Sequence, residues 1–216
     1  MRRKNLILIR KETLLHDGHL TRKDRNALNG HPSGVLWFTG FSGAGKSTIA
    51  HGVERELFQR GIRSYVLDGD NVRHRINADL GFSRPDRKEN IRRIVEIAKL
   101  FLDAGVIVLA SFISPYREDR EFVRKSFAGD IFYEFYIKCS IEECERRDPK
   151  GLYRQVRQGL IKNYTGISAP YEEPETPHFI VDTEQLDELG SIQAVLGFLD
   201  QVGILKEISP HQAHWH

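Results

Sequence analysis

Eight residues, Gly40-Phe-Ser-Gly-Ala-Gly-Lys-Ser47, carry the most specific chemistry in the chain. They match the pattern G-x-x-x-x-G-K-[ST] in full. In such a loop, backbone N–H groups and the positive end of the following helix converge on phosphate. Gly40, Gly43 and Gly45 let the backbone wrap without Cβ clashes. Lys46 would reach the β- and γ-phosphates of a nucleoside triphosphate, and the Ser47 hydroxyl would hold Mg²⁺. The loop alone does not choose between a kinase, a GTPase and a mechanical ATPase.

A second group of residues lies where an acceptor would sit. Leu67-Asp68-Gly69-Asp70-Asn71 follows an apolar run, and in open α/β sheets ligands bind beyond the carboxyl ends of strands. A carboxylate there can orient or deprotonate an acceptor hydroxyl, or help place the metal ion. The same string is also a common turn. Arg73, Arg87 and Asn90 follow, the last two on one helix face, and could converge on a tetrahedral oxyanion; Phe82 could stack on a base. A solvated, charged helix face is the plain alternative. Ser114, in Phe112-Ile113-Ser114-Pro115, reads as a helix cap with Pro115 opening the helix, or as a phosphorylated nucleophile. No His base adjoins it in sequence, which favours the cap.

Elements that position these groups are legible as five apolar runs: Val35–Thr39, Ser64–Leu67, Val106–Ser111, Ile131–Ile137 and Phe179–Val181. Runs rich in Val and Ile suit strands buried on both faces of a parallel sheet, and the intervening helical segments point to an α/β layered fold. Ser47 through Arg60 reads as the helix after the phosphate loop. After Pro85, Ile91, Ile94, Val95, Ala98, Phe101 and Leu102 form one apolar helical face, with Gly105 as its stop. Ser140 with Glu143 predicts a capping box. Residues 148–177, rich in Gly and Pro with scattered Lys and Arg, have the composition of a lid. The division expected is an arm over 1–33, a nucleotide-binding domain over 34–205 and a tail over 206–216.

The chain has 216 residues and a net charge of +2, which argues against wholesale nucleic-acid binding but permits a local basic pocket. No stretch approaches the roughly 20 apolar residues of a membrane span. The run Leu6–Ile9 is too short for a signal-peptide core, and Met1–Arg10 reads as a surface strand or arm. Cys139 and Cys144 read as structural thiols of a reduced, cytoplasmic protein rather than as a metal site. The terminal His211, His214 and His216 are assigned no site.

Taken together, LDGDNVRH, DLGFSRPDRKENIRR, FISPYREDR, DPKGLYRQVR and YTGISAPYEEP resemble, in order, the motifs of the adenylylsulfate kinases, over roughly residues 14–200. The resemblance implies a three-layer P-loop kinase fold with a central five-stranded parallel sheet, a mobile lid and a homodimer. It implies MgATP as donor and adenosine 5′-phosphosulfate (APS) as acceptor, phosphorylated on its 3′-hydroxyl for sulfate activation. ATP would be held by Gly40, Phe41, Ser42, Gly43, Ala44, Gly45, Lys46, Ser47 and Thr48. Asp68 would stand beside the acceptor hydroxyl and Mg²⁺. Arg73, Arg87 and Asn90 would contact APS, Phe82 and Tyr164 would sandwich its adenine, Ile113 would offer backbone contacts, and Lys150 would lie near the phosphosulfate. Ser114 matches a serine proposed as a phosphoenzyme intermediate. The chain departs from the family pattern at Arg75 and Ile76, at Phe41, and at Tyr164 in place of phenylalanine.

Two rivals remain at this level. A kinase-like regulatory module would have lost P-loop residues, whereas Lys46, Ser47 and Asp68 are all present. A kinase of the same fold acting on another hydroxyl, such as that of shikimate, is the milder alternative.

Overall fold

The structure is a computed structural model and describes residues 18–205. Five parallel strands, β1 (Gly34–Thr39), β2 (Ser64–Asp68), β3 (Ile107–Ser111), β4 (Phe132–Lys138) and β5 (Phe179–Asp182), form one sheet in the order β2-β3-β1-β4-β5. Each matches an expected run to within one residue at either end. The helices are α1 (Arg22–Asn29), α2 (Lys46–Gln59), α3 (Gly69–Arg73), α4 (Arg84–Asp103), α5 (Arg117–Ser126), α6 (Ile141–Arg147), α7 (Leu152–Arg157) and α8 (Glu188–Gln201).

The period-two alternation of β1 divides the core. Leu36 and Phe38 face a cluster with Ile49, Val53 and Leu57 of α2 and Val195 and Leu199 of α8. Val35 and Trp37 face the other side, against Ile91, Ile94, Val95 and Ala98 of α4 and Val123 of α5. All six β1 residues are buried, so this strand, with helices on both sides, is the axis of the three layers. Helices α2 and α8 approach closely at Gly52, where a Cβ would meet Ile192 Cδ1 at 2.2 Å.

Local signals explain most helix starts. The Ser83 hydroxyl accepts the Asp86 amide ahead of α4, with Pro85 in the first turn. Two expectations are corrected. First, α5 begins at Arg117, not at Pro115: Ser114 has φ 38°, Tyr116 is the N-cap residue, and the Arg117 amide is satisfied by Glu172 Oε2 at 2.8 Å. Ser114 is therefore not the cap. Second, the capping box at Ser140 is half-formed. Ser140 Oγ accepts the Glu143 amide, but the Ser140 amide donates to Glu184 Oε1, and the Glu143 carboxylate pairs with Arg146 and Arg147. Within the stretch expected as an arm lies α1, opened by a reciprocal capping box between Thr21 and Asp24 and tied to α4 by Arg25–Asp103. The expectations for Met1–Arg10 and for the tail over 206–216 lie outside the described residues.

No helix among the described residues is long and apolar enough to cross a membrane, and no cluster of three or more His, Cys, Asp or Glu among them could hold a metal ion.

Candidate functional site

At the carboxyl end of the sheet, the phosphate loop, the β2 and β3 termini, the α4 N-terminus and the start of the 148–177 segment enclose a cleft of about 220 Å³. The loop leaves β1 through Gly40, whose φ of +148° and position permit no side chain: a Cβ would lie 2.4 Å from Ile137 O. Loop carbonyls are tied from behind. Tyr153 donates its hydroxyl to Ser42 O at 2.8 Å, and Thr183 donates to Ala44 O at 3.1 Å. With those carbonyls anchored, the free N–H groups at the start of α2 face the cleft. Ser42, Gly43, Gly45, Lys46, Ser47 and Thr48 line it, whereas Gly40, Phe41 and Ala44 lie behind. Phe41 packs on Tyr171, ring centroids 4.7 Å apart.

Lys46 is buried, donating to Phe41 O at 2.6 Å. Burial, helped by Lys150 and opposed by nearby acidic groups, pushes its ammonium down to about 8. A bound polyphosphate would relieve that penalty.

Asp68 ends β2 and caps α3. Its Oδ1 accepts the Asp70 and Asn71 amides at 3.0 and 3.3 Å, and its Oδ2 accepts the Ser47 hydroxyl at 2.6 Å. Burial pushes its pKa up, but the Ser47 hydroxyl and the two amides outweigh burial and hold it below the usual carboxylate range. Ser111 completes this oxygen cluster, its hydroxyl 3.2 Å from Ser47 Oγ. Sequence reading missed Ser111. The only available signal was register: parallel pairing sets Ser111 of β3 beside Asp68 of β2.

The acceptor wall carries Arg73, Phe82 and Arg87. The Phe82 ring is 59% exposed, with the Arg73 and Arg87 guanidinium carbons 4.5 and 5.8 Å from its centroid. Arg73 is pressed downward by burial and by the charge of Arg87. An anion between the two would neutralise that repulsion. Arg73 donates to Gly81 O, and Arg87 to Phe82 O, Asn163 O and Thr165 Oγ1. Lys150 reaches across the cleft to Asp70. Both partners are about half exposed or more, and such pairs contribute only about 0–1 kcal/mol, so an anionic ligand can displace this one.

Ile113 and Ser114 also line the cleft, but both are engaged. Ile113 O accepts the Thr39 hydroxyl at 2.7 Å. Ser114 Oγ accepts Trp37 Nε1 at 3.1 Å and donates to Phe112 O at 3.3 Å, and the residue is 2% exposed.

Two expected ligand residues stand apart from the cleft. Asn90 is buried beneath its wall, accepting from Asn77 Nδ2 at 2.9 Å. Tyr164 packs edge-on against Tyr153 at 5.0 Å rather than opposite Phe82. Its hydroxyl is buried and makes no hydrogen bond among the described residues, although the Ser42 and Tyr153 hydroxyls are close. Arg75 and Ile76 do not line the cleft; the Arg75 amide closes a turn onto Val72 O, and Ile76 is exposed.

A family model described as adenylylsulphate kinase matches residues 32–182. The chain is 56% identical over 190 residues to an adenylyl-sulfate kinase of Geotalea daltonii, covering 88% of this chain and 94% of the relative. It is 55% identical over 190 residues to an adenylyl-sulfate kinase of Staphylococcus carnosus, with 88% and 96% covered. The structure of the Mycobacterium tuberculosis APS kinase in complex with AMPPNP and APS superimposes with a TM-score of 0.75 at 45% identity, over 79% of this chain and 99% of that one.

Proposed function

The chain belongs to the adenylylsulphate kinase family, and from that premise we propose that it transfers the γ-phosphate of ATP to the 3′-hydroxyl of adenosine 5′-phosphosulfate, giving 3′-phosphoadenosine 5′-phosphosulfate and ADP. One observation carries the reading. The phosphate loop meets a depressed carboxylate, Asp68, opposite two half-buried arginines and an exposed aromatic ring. A donor triphosphate and an anionic, base-bearing acceptor fit those two halves.

The Ser47, Asp68 and Ser111 oxygens form a hard-donor cluster of the kind Mg²⁺ takes. Bound there with ATP, the ion would neutralise charge on the β- and γ-phosphates. Ser47 and Asp68 would hold it, directly or through water. Lys46 stabilises charge on the transferring group. Asp68, too weak a base to remove a proton early, accepts a hydrogen bond from the acceptor hydroxyl and aligns it. Phosphoryl transfer through a loose transition state needs little more than such positioning. Arg73 and Arg87 grip the acceptor's oxyanion, and Phe82 stacks on its base. Asn90 supports the wall from behind. Residues 148–177 act as the lid: Lys150 leaves Asp70 for the phosphosulfate, and Tyr164 reaches the adenine only as this segment moves. Closure excludes the water that would otherwise take the phosphate. Ser114, buried and engaged at both its donor and its acceptor sites, contacts the acceptor by its backbone and carries no phosphoryl group.

The assembly proposed is the homodimer that the family resemblance implies. The chain's two buried free thiols suit a reducing cytoplasm.

Purified protein mixed with MgATP and micromolar APS, followed by ADP release against an APS-free control, tests the activity. APS-dependent release is expected. Tight ATP binding without it would overturn the assignment, and parallel trials with adenosine 5′-monophosphate and shikimate would reveal another acceptor.

A further inference from the structure

The mechanism leaves a buried ion pair without a task. Arg120, on α5, is 4% exposed, and Glu134, on β4, is 5% exposed. A buried ion pair is rarely retained for stability, because desolvation offsets most of its attraction. Here the geometry shows what else the guanidinium does. Its Nε meets Glu134 Oε1 at 3.1 Å, its Nη1 donates to Ser114 O at 2.7 Å, and its Nη2 donates to Glu172 O at 2.5 Å. Two of its three nitrogens donate to main-chain carbonyls from segments far apart in sequence.

Those segments are the two that frame the acceptor. Ser114 lies in the cleft-lining stretch Ile113–Pro115 and is held at φ 38°, a conformation L-residues adopt only under constraint. Glu172 lies near the end of the 148–177 segment. The two are laced together further. The Glu172 amide donates to Pro115 O at 2.8 Å, and the Glu172 carboxylate accepts the Arg117 amide at 2.8 Å. Tyr171, just before, bonds Thr39 Oγ1 at 3.0 Å, and Thr39 in turn donates to Ile113 O. Like Thr39, Arg120 bonds both segments at once, and its guanidinium is ion-paired with Glu134, which Arg124 also meets at 2.7 Å.

We propose that Arg120 is a positioning residue for the acceptor: its fork fixes the strained Ser114 backbone and the root of the lid relative to each other, so that a closing lid meets an acceptor loop already in place. The inference rests on the kinase reading above. Its signature is selective, because the donor half of the cleft, at Lys46 and Ser47, is built on β1 and α2 and has no bond to Arg120.

The test compares wild type with Arg120→Lys, which keeps the charge but cannot hold both carbonyls, and with Arg124→Gln, which loses contacts to Glu134 and to Thr176 O at the far end of the 148–177 segment without reaching Ser114 or Glu172. Steady-state KM values for APS and ATP are measured, with hydrogen exchange at the Glu172 and Arg117 amides in the substrate-free proteins. In Arg120→Lys, KM for APS should rise roughly tenfold or more while KM for ATP moves less than about twofold, and both amides should exchange faster. Arg124→Gln should match wild type in KM for APS. A folded Arg120→Lys with unchanged KM for APS, or with APS and ATP affected alike, overturns the proposal. Should Arg120→Lys not fold, the double variant Arg120→Met/Glu134→Met, which leaves no buried charge unpaired, takes its place under the same criteria. Failure of both to fold would mark the pair as purely structural and also overturn it. Absence of APS turnover in wild type would instead strike the kinase reading, and the amide exchange would still decide whether Arg120 holds the two segments.

Discussion

Ser47 Oγ and Asp68 Oδ2 lie 2.6 Å apart, so the end of the phosphate loop and the end of β2 are joined by one hydrogen bond. The residue that would receive the metal on the donor side is thereby tied to the residue that would align the acceptor. Replacing Asp68 by Asn keeps the shape and removes the charge. We expect kcat to fall by about 10²–10⁴-fold, the range of positioned acid–base groups, while ATP affinity changes only severalfold. Steady-state kinetics with calorimetric ATP binding separates the two. Near-normal kcat would remove Asp68 from the mechanism.

The same hydrogen bonds predict an acid limb. Asp68 is held below its ordinary 3.8, so its contribution to stability is present above that value and is lost as pH falls through the lower, folded one. Between pH 7 and 5 neither stability nor kcat should change on account of Asp68. A wild-type kcat profile with a midpoint near pH 6 that disappears in Asp68→Asn would contradict this.

Lys46 runs the other way. Burial brings it from 10.5 to about 8 in the free protein. Between those values the unfolded chain holds a proton that the folded one does not, so stability rises with pH across that window. Bound phosphates restore the charge. At pH 8.5, ATP binding should therefore take up about 0.5–1 proton, seen as a dependence of the binding enthalpy on buffer ionisation enthalpy. Lys46→Arg, charged throughout, should bind with no Lys46-linked uptake. Absence of uptake in wild type would place the free ammonium in a more polar setting than its buried position suggests.

How much of this could be read from residues alone follows from where the signal is local. The five strands were legible because a strand buried on both faces leaves a short apolar run, and the phosphate loop because its glycines and Lys46 act within eight residues. Asn90 and Tyr164 rest away from the cleft for a tertiary reason. Asn77 claims Asn90 from the turn after α3, and Tyr153 claims the Tyr164 ring. Pro115 looked like a helix start, yet the left-handed Ser114 and the borrowed carboxylate of Glu172 delay α5 to Arg117. Ser111 carries no motif, and Arg120, which closes FISPYREDR, has no role legible there; strand register and a guanidinium reaching two carbonyls exist only once the chain is folded.

Phe82 offers a clean split between donor and acceptor binding. The residue is 59% exposed, with Arg73 and Arg87 over its ring, so its removal should not unsettle the core. Stacking on a base contributes about 1–3 kcal/mol, and Phe82→Ala should raise KM for APS about 5- to 150-fold with KM for ATP nearly unchanged. Equal changes in both would mean that the ring shapes the whole cleft rather than the acceptor site.

Direct transfer requires nothing of the Ser114 hydroxyl. Ser114→Ala should keep kcat within about threefold and lose about 1 kcal/mol of stability, because the Trp37 indole N–H loses its partner. Intact-mass measurement of wild type with MgATP and no acceptor should show no added phosphate. A protein 80 Da heavier, absent in Ser114→Ala, would establish the phosphoenzyme route in its place.

Tyr164 makes the last case, because its buried hydroxyl makes no hydrogen bond among the described residues while its ring packs on Tyr153. A buried polar group without a hydrogen bond is destabilising, and replacing it with an apolar group of the same shape is neutral or favourable. Tyr164→Phe should therefore leave stability unchanged or raise it by about 0–1 kcal/mol in denaturant unfolding. Stacking on a base depends on the ring face, so KM for APS should hold as well. A loss of affinity for APS in a variant that unfolds no more easily would show that the hydroxyl, orphaned while Tyr164 rests on Tyr153, finds its partner on the acceptor when the 148–177 segment closes.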